Sequence, residues 1–383
     1  MLIHGKKRRT IWPDSAGEGV HIIDQTRLPH RLETVLLRDL TDAARAIKDM
    51  LVRGAPLIGV TAAYGLALAL RADSSDEGLR HAAEVLRGTR PTAVNLAWAL
   101  KRMAGFLAPM EPDMRPQAAM ALARNLADKD VACNEAIGDH GVRLIREIAR
   151  KKGGQVNILT HCNAGWLATV DWGTATAPIY RAQEQMLDVH VFVDETRPRN
   201  QGASLTAFEL GQQGVPHTLI VDNAGGHLMQ RGEIDMVIVG ADRIAANGDA
   251  CNKIGTYLKA LAAHDCGLPF YVAAPVSTFD FALAEGALIP IEERAQSEVT
   301  HMTGATQDGG LATIRIAPET TPARNPGFDV TPARLVSGII TEKGVFAAER
   351  EALAGLAWPG SPGRLAAEKF IFPEGNLAAK IPL

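Results

Sequence analysis

The sequence predicts an α/β protein, a parallel sheet preceded by a smaller and mainly helical region. Three observations carry this. Five short β-branched-rich runs, VNILTHC, HVFVDE, HTLIVDN, MVIVGAD and PFYVAAP, are apolar almost without interruption, as in strands covered on both faces. Helix-patterned segments such as 201–213 and 252–264 separate them, and alternating β and α units imply right-handed crossovers. Ahead of Lys151-Lys152-Gly153-Gly154 the apolar spacing is helical instead.

Taken in order, residues 11–35 read as short strands and turns, with IWP early and HIIDQTRLP after it. From Thr41, apolar Ala44, Ile47, Met50 and Leu51 repeat at helical spacing, with Thr41 or Asp42 as the cap. Further helices are expected at 55–70, 76–87, 91–106 and 116–150. The stretch GAPLIGVTAAYGLALAL, from Gly54 to Leu70, is uncharged but holds Pro56 and three glycines between flanking arginines. It reads as a buried core helix and not a membrane span. Lys151-Lys152-Gly153-Gly154 reads as a helix stop. The boundary there divides a helical domain, 1–150, from an α/β domain, 151–383. The final third is less regular, with a Pro-rich loop around 318–332.

A chain of 383 residues with 46% apolar and 22% charged residues can bury a large core. Its net charge of −3 shows no nucleic-acid footprint, and Lys6-Lys7-Arg8-Arg9 reads as a solvated tail. Cys133, Cys162, Cys251 and Cys266 form no CxxC pair, so neither a zinc knot nor a disulfide framework is expected. The N-terminus is basic and polar, unlike a signal peptide. These features point to the cytoplasm.

Four of the five strands end on polar groups: Cys162, Asp194-Glu195, Asp222-Asn223 and Asp242. In a parallel sheet these tips share one edge, where ligands bind. An unpaired cysteine is usually packing filler. Cys162 differs because turn residues follow it at once. His161 is a poor partner for it, since neighbours in a strand face opposite ways. Asp242 caps its turn or pairs with Arg243, or, if buried, holds a proton near neutrality and serves as an acid. Arg53-Gly54-Ala55-Pro56 and Arg90-Pro91-Thr92 each put an arginine before a proline that can open a helix, a suitable phosphate site. Asn252-Lys253 reads as another helix start, and Lys253 as a third cation. There is no GxGxxG after a strand, no GxxxxGK[ST] and no HExxH, which disfavours nicotinamide, nucleotide and zinc enzymes.

RGAPLIGVTAAYG, GTRPTAVNLAWAL, LTHCNAG, VDETRPRNQGASLTAFEL, GADRIAANGDACNKIGTY and FDVTPARLVSGIITEKG together resemble methylthioribose-1-phosphate isomerases, over about residues 11 to 350. That superfamily also holds translation initiation factor 2B regulatory subunits and ribose-1,5-bisphosphate isomerases. The resemblance implies a Rossmann-like catalytic domain behind a smaller helical one, and a homodimer. It implies conversion of an aldose, 5-methylthioribose 1-phosphate, to the ketose 5-methylthioribulose 1-phosphate in methionine salvage. No cofactor or metal is needed, because the reaction is redox-neutral within one molecule. By motif match Cys162 and Asp242 are catalytic, and Arg53, Gly54, Ala55, Arg90, Gln201, Asn252 and Lys253 bind substrate. The alternatives are an isomerase of 5-deoxyribose 1-phosphate or ribose 1,5-bisphosphate, and a non-catalytic regulatory subunit. The implied mechanism is acid-assisted ring opening by Asp242, then hydrogen transfer from C2 to C1, as a proton through Cys162 or as a hydride. Three departures stand out: Trp166 and Trp172 where smaller residues are expected, Cys251 where a small residue is more usual, and a longer tail after about 350. The tryptophans are expected to shape the pocket near the sugar's 5-substituent.

Overall fold

The computed structural model describes residues 1–357, so the tail set apart in the sequence lies mostly outside the described residues. Seven strands make the central sheet: β1 (Val156–His161), β2 (Val189–Asp194), β3 (His217–Ile220), β4 (Met236–Val239), β5 (Phe270–Ala273), β6 (Gly338–Thr341) and β7 (Gly344–Phe346). Their order is β7–β6–β5–β4–β1–β2–β3. All neighbours pair in parallel except β6 and β7. The five expected strands are β1–β5, and β6 and β7 extend the sheet beyond them.

Burial explains the unbroken apolar runs. Every residue of β4 is fully buried, since helices cover both faces. Apolar clusters pack on either side, one around Ile158, Trp166, Ile179 and Val191, the other around Leu159, Val237, Phe270 and Ile339. Each fully buried Leu or Ile stabilises the fold by about 1.5–3 kcal/mol. The order places a topological switch between β1 and β4. From β1 the chain winds to β2 and β3 on one side and resumes at β4 on the other. Loops diverge there, leaving a crevice at the strands' carboxyl ends.

Ahead of the sheet, Ile11–Pro13, Val20–Ile23 and Thr34–Leu37 form a small antiparallel sheet. Five helices follow: α1 (Leu40–Lys48), α2 (Ala55–Ala69), α3 (Asp76–Thr89), α4 (Val94–Leu107) and α5 (Arg115–Lys152). The α1 cap is Asp39, whose carboxylate accepts from the Asp42 N–H at 2.8 Å, and not Thr41 or Asp42. Helix α2 is buried at almost every position and packs among the other four helices. That explains its apolar residues on all sides. No helix among the described residues is long and apolar enough to cross a membrane. Helix α5 ends at Gly153, which takes the left-handed cap at φ 73°.

Helices α6 (Ala177–Glu184), α7 (Ala207–Gln213), α8 (Gly225–Gln230) and α9 (Thr256–Asp265) accompany the large sheet. Three local expectations change. Pro91 does not open a helix: it sits in a turn, and α4 starts at Val94. Asn252-Lys253 does not open one either. Both belong to a strand, Ala250–Lys253, paired antiparallel with Phe328–Thr331. Helix α9 starts later because Gly255, at φ 101°, turns the chain, and Asp329 accepts from the N–H groups of Gly255 and Tyr257. The basic run at 6–9 is no free tail. Lys6–Lys7 pairs with Leu2–Ile3, and Gln212 and Gln213 on α7 hold that hairpin.

Candidate active site

Cys162 follows β1 with φ 64°, a left-handed conformation unusual for a residue with a Cβ. Two hydroxyls fix it there. Its N–H donates to Thr196 Oγ1 at 2.8 Å, and its carbonyl accepts from Thr206 Oγ1 at 2.6 Å. His161 is held at both ring nitrogens by other groups. Its Nδ1 lies 2.6 Å from Asp194 and its Nε2 2.8 Å from the Ile254 carbonyl. Both Cys162 and His161 line the switch-point crevice, but the imidazole nitrogens are already engaged.

Asp242 reaches the same crevice from the loop after β4, and its N–H bonds to the Cys251 carbonyl at 2.9 Å. It does not pair with Arg243, which pairs with Asp280 at 3.4 Å instead. The N-terminus of α2 faces them across the crevice. Gly54, its N-cap, has φ 91° and packs so tightly that a Cβ would lie 2.5 Å from Ala168 backbone atoms. Only glycine permits both. Pro56 has no N–H, so the N–H groups of Gly54, Ala55 and Leu57 are those this helix end can present. Arg53, just before it, donates to Asn163 Oδ1 at 2.5 Å and to the Asn163 carbonyl at 2.7 Å.

All nine residues singled out by sequence line one cavity of about 50 Å³: Cys162, Asp242, Arg53, Gly54, Ala55, Arg90, Gln201, Asn252 and Lys253. It adjoins a wider cavity of about 560 Å³ through Met50, Arg53 and Gln201, a route toward the surface. Lys253 is buried with its Nζ 4.9 Å from the Phe328 ring centre. Among the described residues it has no carboxylate at ion-pair distance. Arg90 pairs with Glu292 at 3.4 Å. Gln201 is buried, and its Oε1 has no partner among the described residues, so it offers a ligand an unused acceptor.

The chemistry follows from burial. Desolvation pushes the Asp242 carboxyl up, against Lys253, Arg53 and Arg90, which favour its charge. Asp242 is partly buried and lines the small cavity. Desolvation likewise pushes the Cys162 thiol up and the Lys253 amine down; Arg53 and Lys253 counter the former, Cys162 and Asp242 the latter. The site holds a carboxyl inclined to keep its proton beside a thiol inclined to stay neutral, both facing cations suited to a phosphate.

Other polar strand tips stay outside. Asp194 is consumed by His161 and by Lys259, 2.8 Å away, and Asp222 accepts from the Arg197 N–H on the far side of β2. The tryptophans do not shape the cavity. Trp166 is fully buried in the core, and Trp172 stacks against Arg181; Ala164, Ala168 and Thr174 line that wall. Cys251 is buried beside Ala245 and Ile289. Sequence reasoning missed Arg294, which also lines the cavity and is held by Glu292 and Glu298 at 3.0 and 2.7 Å. Its segment, IEERAQSEV, carries the mixed charges of a solvated surface, so no local signal marked it. Asn163 was visible only as a turn residue after Cys162.

Comparison with known proteins gives a consistent outcome. A family model described as the initiation factor 2 subunit family matches residues 51–348. A methylthioribose-1-phosphate isomerase from Methylorubrum populi is 62% identical over 93% of this chain and 98% of its own length. One from Rhodospirillum rubrum is 59% identical over 99% and 97%. Among solved structures, the 5-methylthioribose 1-phosphate isomerase of Pyrococcus horikoshii OT3 superposes with a TM-score of 0.79 at 40% identity, covering 92% of this chain and 96% of that one. The translation initiation factor eIF-2B subunit delta from A. fulgidus gives 0.76 at 39%, covering 91% and 99%.

Proposed function

The chain belongs to the initiation factor 2 subunit family and, within it, to the methylthioribose-1-phosphate isomerases, and from that premise we propose how its switch-point cavity turns 5-methylthioribose 1-phosphate into 5-methylthioribulose 1-phosphate for methionine salvage. The observation that carries the site assignment is the convergence of Cys162, Asp242, Arg53, the α2 N-terminus and Lys253 on one cavity.

In a sugar 1-phosphate the anomeric oxygen is esterified, so the ring cannot open by ordinary mutarotation. Asp242, holding its proton through burial, donates it to the ring oxygen as the bond from C1 to that oxygen breaks. The hydrogen on C2 then moves to C1, and the C2 hydroxyl gives its proton to the Asp242 carboxylate as the carbonyl forms, which restores the acid. Two routes satisfy this balance. Cys162 as thiolate takes the C2 proton and returns it to C1 through an enol phosphate, or the hydrogen migrates as hydride while Cys162 walls the site. The upward push on the thiol and the engagement of both His161 nitrogens elsewhere favour the second. Arg53, Arg90, Lys253 and the amides of α2 hold the phosphate, and Gln201 accepts from a sugar hydroxyl.

For the 5-substituent, the apolar groups of Ala164, Ala168 and Phe328 suit a methylthio group. Arg294, the remaining cation, is already matched by Glu292 and Glu298, which argues against a second phosphate. We further propose two domains that divide near residue 150, at the end of α5, and a homodimer. Exposed Leu219 and Val221 at the uncovered β3 edge of the sheet support the latter, which light scattering tests. Four free cysteines support residence in the cytoplasm.

The deciding experiment is turnover of 5-methylthioribose 1-phosphate in heavy water, followed by NMR. Ketose with deuterium at C1 supports the proton route through an exchanging thiol; ketose without it leaves the hydride route or a proton shielded from solvent. No ketose from folded protein would overturn the reading and raise the regulatory one.

A further inference from the structure

Behind the Cys162 loop, out of the cavity, lies a buried carboxylate that this mechanism does not use. Glu209, on α7, is fully buried. Its two oxygens accept four hydrogen bonds. The Leu167 and Trp166 N–H groups donate at 2.6 and 3.1 Å, Asn163 Nδ2 at 3.1 Å and the Tyr180 hydroxyl at 3.4 Å. Three of the four come from the loop that carries Cys162. Gly165 lies so close that a Cβ there would fall 1.6 Å from a carboxylate oxygen. The loop is therefore built around this group.

Asn163 links it to the cavity. Both hydrogens of its side-chain amide are used, one by Glu209 and the other by Thr206 Oγ1 at 3.2 Å. An amide so held can point only its oxygen at Arg53, which donates to it at 2.5 Å. An Asn163 turned the other way would present N–H groups to a guanidinium and carbonyl oxygen to a carboxylate, repulsive at both ends.

We propose that Glu209 is the positioning residue for the phosphate clamp, fixing the orientation of Asn163 and through it the guanidinium of Arg53. The Glu209 carboxyl and the guanidinium do not touch; one side-chain amide joins them. The proposal rests on Arg53 binding the substrate phosphate, as assigned above.

A double-mutant cycle tests it, with KM and kcat for 5-methylthioribose 1-phosphate and melting temperature measured on each protein. Glu209→Gln swaps one acceptor for an NH2 facing N–H donors, and should raise KM more than tenfold while kcat falls less than about threefold. In an Arg53→Ala background the same change should raise KM less than twofold, because the group it positions is gone. Equal loss in both backgrounds, an unchanged KM, or loss confined to kcat would overturn the proposal. A purely structural carboxylate would give equal losses. Should Glu209→Gln not fold, Asn163→Ala serves in its place: it cuts the link and leaves the backbone bonds to Glu209, with the same expectations. If Arg53→Ala alone leaves KM unchanged, the clamp reading fails, and that result is distinct from failure of the relay.

Discussion

Replacing Gly54 with alanine should damage both the fold and the site, by an amount the structure lets one work out. Gly54 sits at φ 91°, ψ 136°, a region essentially closed to residues with a Cβ, and adopting it costs about 1–3 kcal/mol. The new methyl would meet the Cα, Cβ and carbonyl oxygen of Ala168, each at 2.5 Å. Backbone shifts that relieve such overpacking cost about 1–3 kcal/mol more. The sum is about 2–6 kcal/mol, or a loss of several degrees in melting temperature for a chain of this size. Relief would also push the α2 N-terminus away from the Cys162 loop, so KM should rise tenfold or more. Gly153→Ala is the matched control. It has φ 73°, but nothing lies within 4 Å of its prospective Cβ, so only the conformational cost of about 1–2 kcal/mol remains. Urea unfolding and steady-state kinetics on both variants decide the matter. If Gly54→Ala loses no more stability than Gly153→Ala and keeps its KM, the close approach of helix to loop does not hold the site together.

Cys162→Ser and Asp242→Asn should each lower kcat by a hundredfold or more with unchanged circular dichroism, and near-normal turnover in either would remove that residue from the mechanism. Because Asp242 acts in its protonated form and burial raises its pKa, kcat/KM should fall as pH rises through that raised value. Lys253→Met removes the largest opposing charge, so in that variant's residual activity the alkaline limb should move to higher pH; a downward move would contradict the assignment. Asp130, which lines a cavity of about 790 Å³, is pushed up to about 7 by burial from 3.8. The folded state then holds a proton the unfolded chain releases, so stability should fall between about pH 4 and 7 by at most about 4 kcal/mol and level off above. Asp130→Asn should flatten that slope in denaturant titrations, and an unaltered slope would assign the pH dependence elsewhere.

The large sheet was legible because β1, β4 and β5 are buried on both faces, which leaves an unbroken apolar signature in the chain. Helix α2 was legible for the same reason. Its neighbours were less so at their ends: Asp39 caps α1 from outside the apolar pattern, and Pro91 marks a turn and not a helix start. The strand at Asn252-Lys253 read as helix because its pairing partner, Phe328–Thr331, lies some 75 residues downstream, beyond any local pattern. Within the site, residues at strand tips announced themselves. Arg294 and Glu209 did not, since one looks like surface charge and the other like one polar residue in a helix. What separates them from their look-alikes is burial, a property of the assembled fold.

The phosphate clamp also sets a schedule for the newborn protein. Arg53 and Lys253 stand 200 residues apart in the chain. At a synthesis rate of about 5–20 residues per second, Arg53 leaves the ribosome roughly 10–40 seconds before Lys253 does. During that interval the helices of the first half can already be packing, yet the pocket at the mouth of α2 still lacks Lys253, Arg294 and Phe328. Asn163 becomes available to Arg53 well before Lys253 is made, so the guanidinium can find its protein partner while the cavity is still open on one side. Turnover would then be among the last properties a growing chain acquires. Its appearance would mark the moment the second half of the sheet closes over the first.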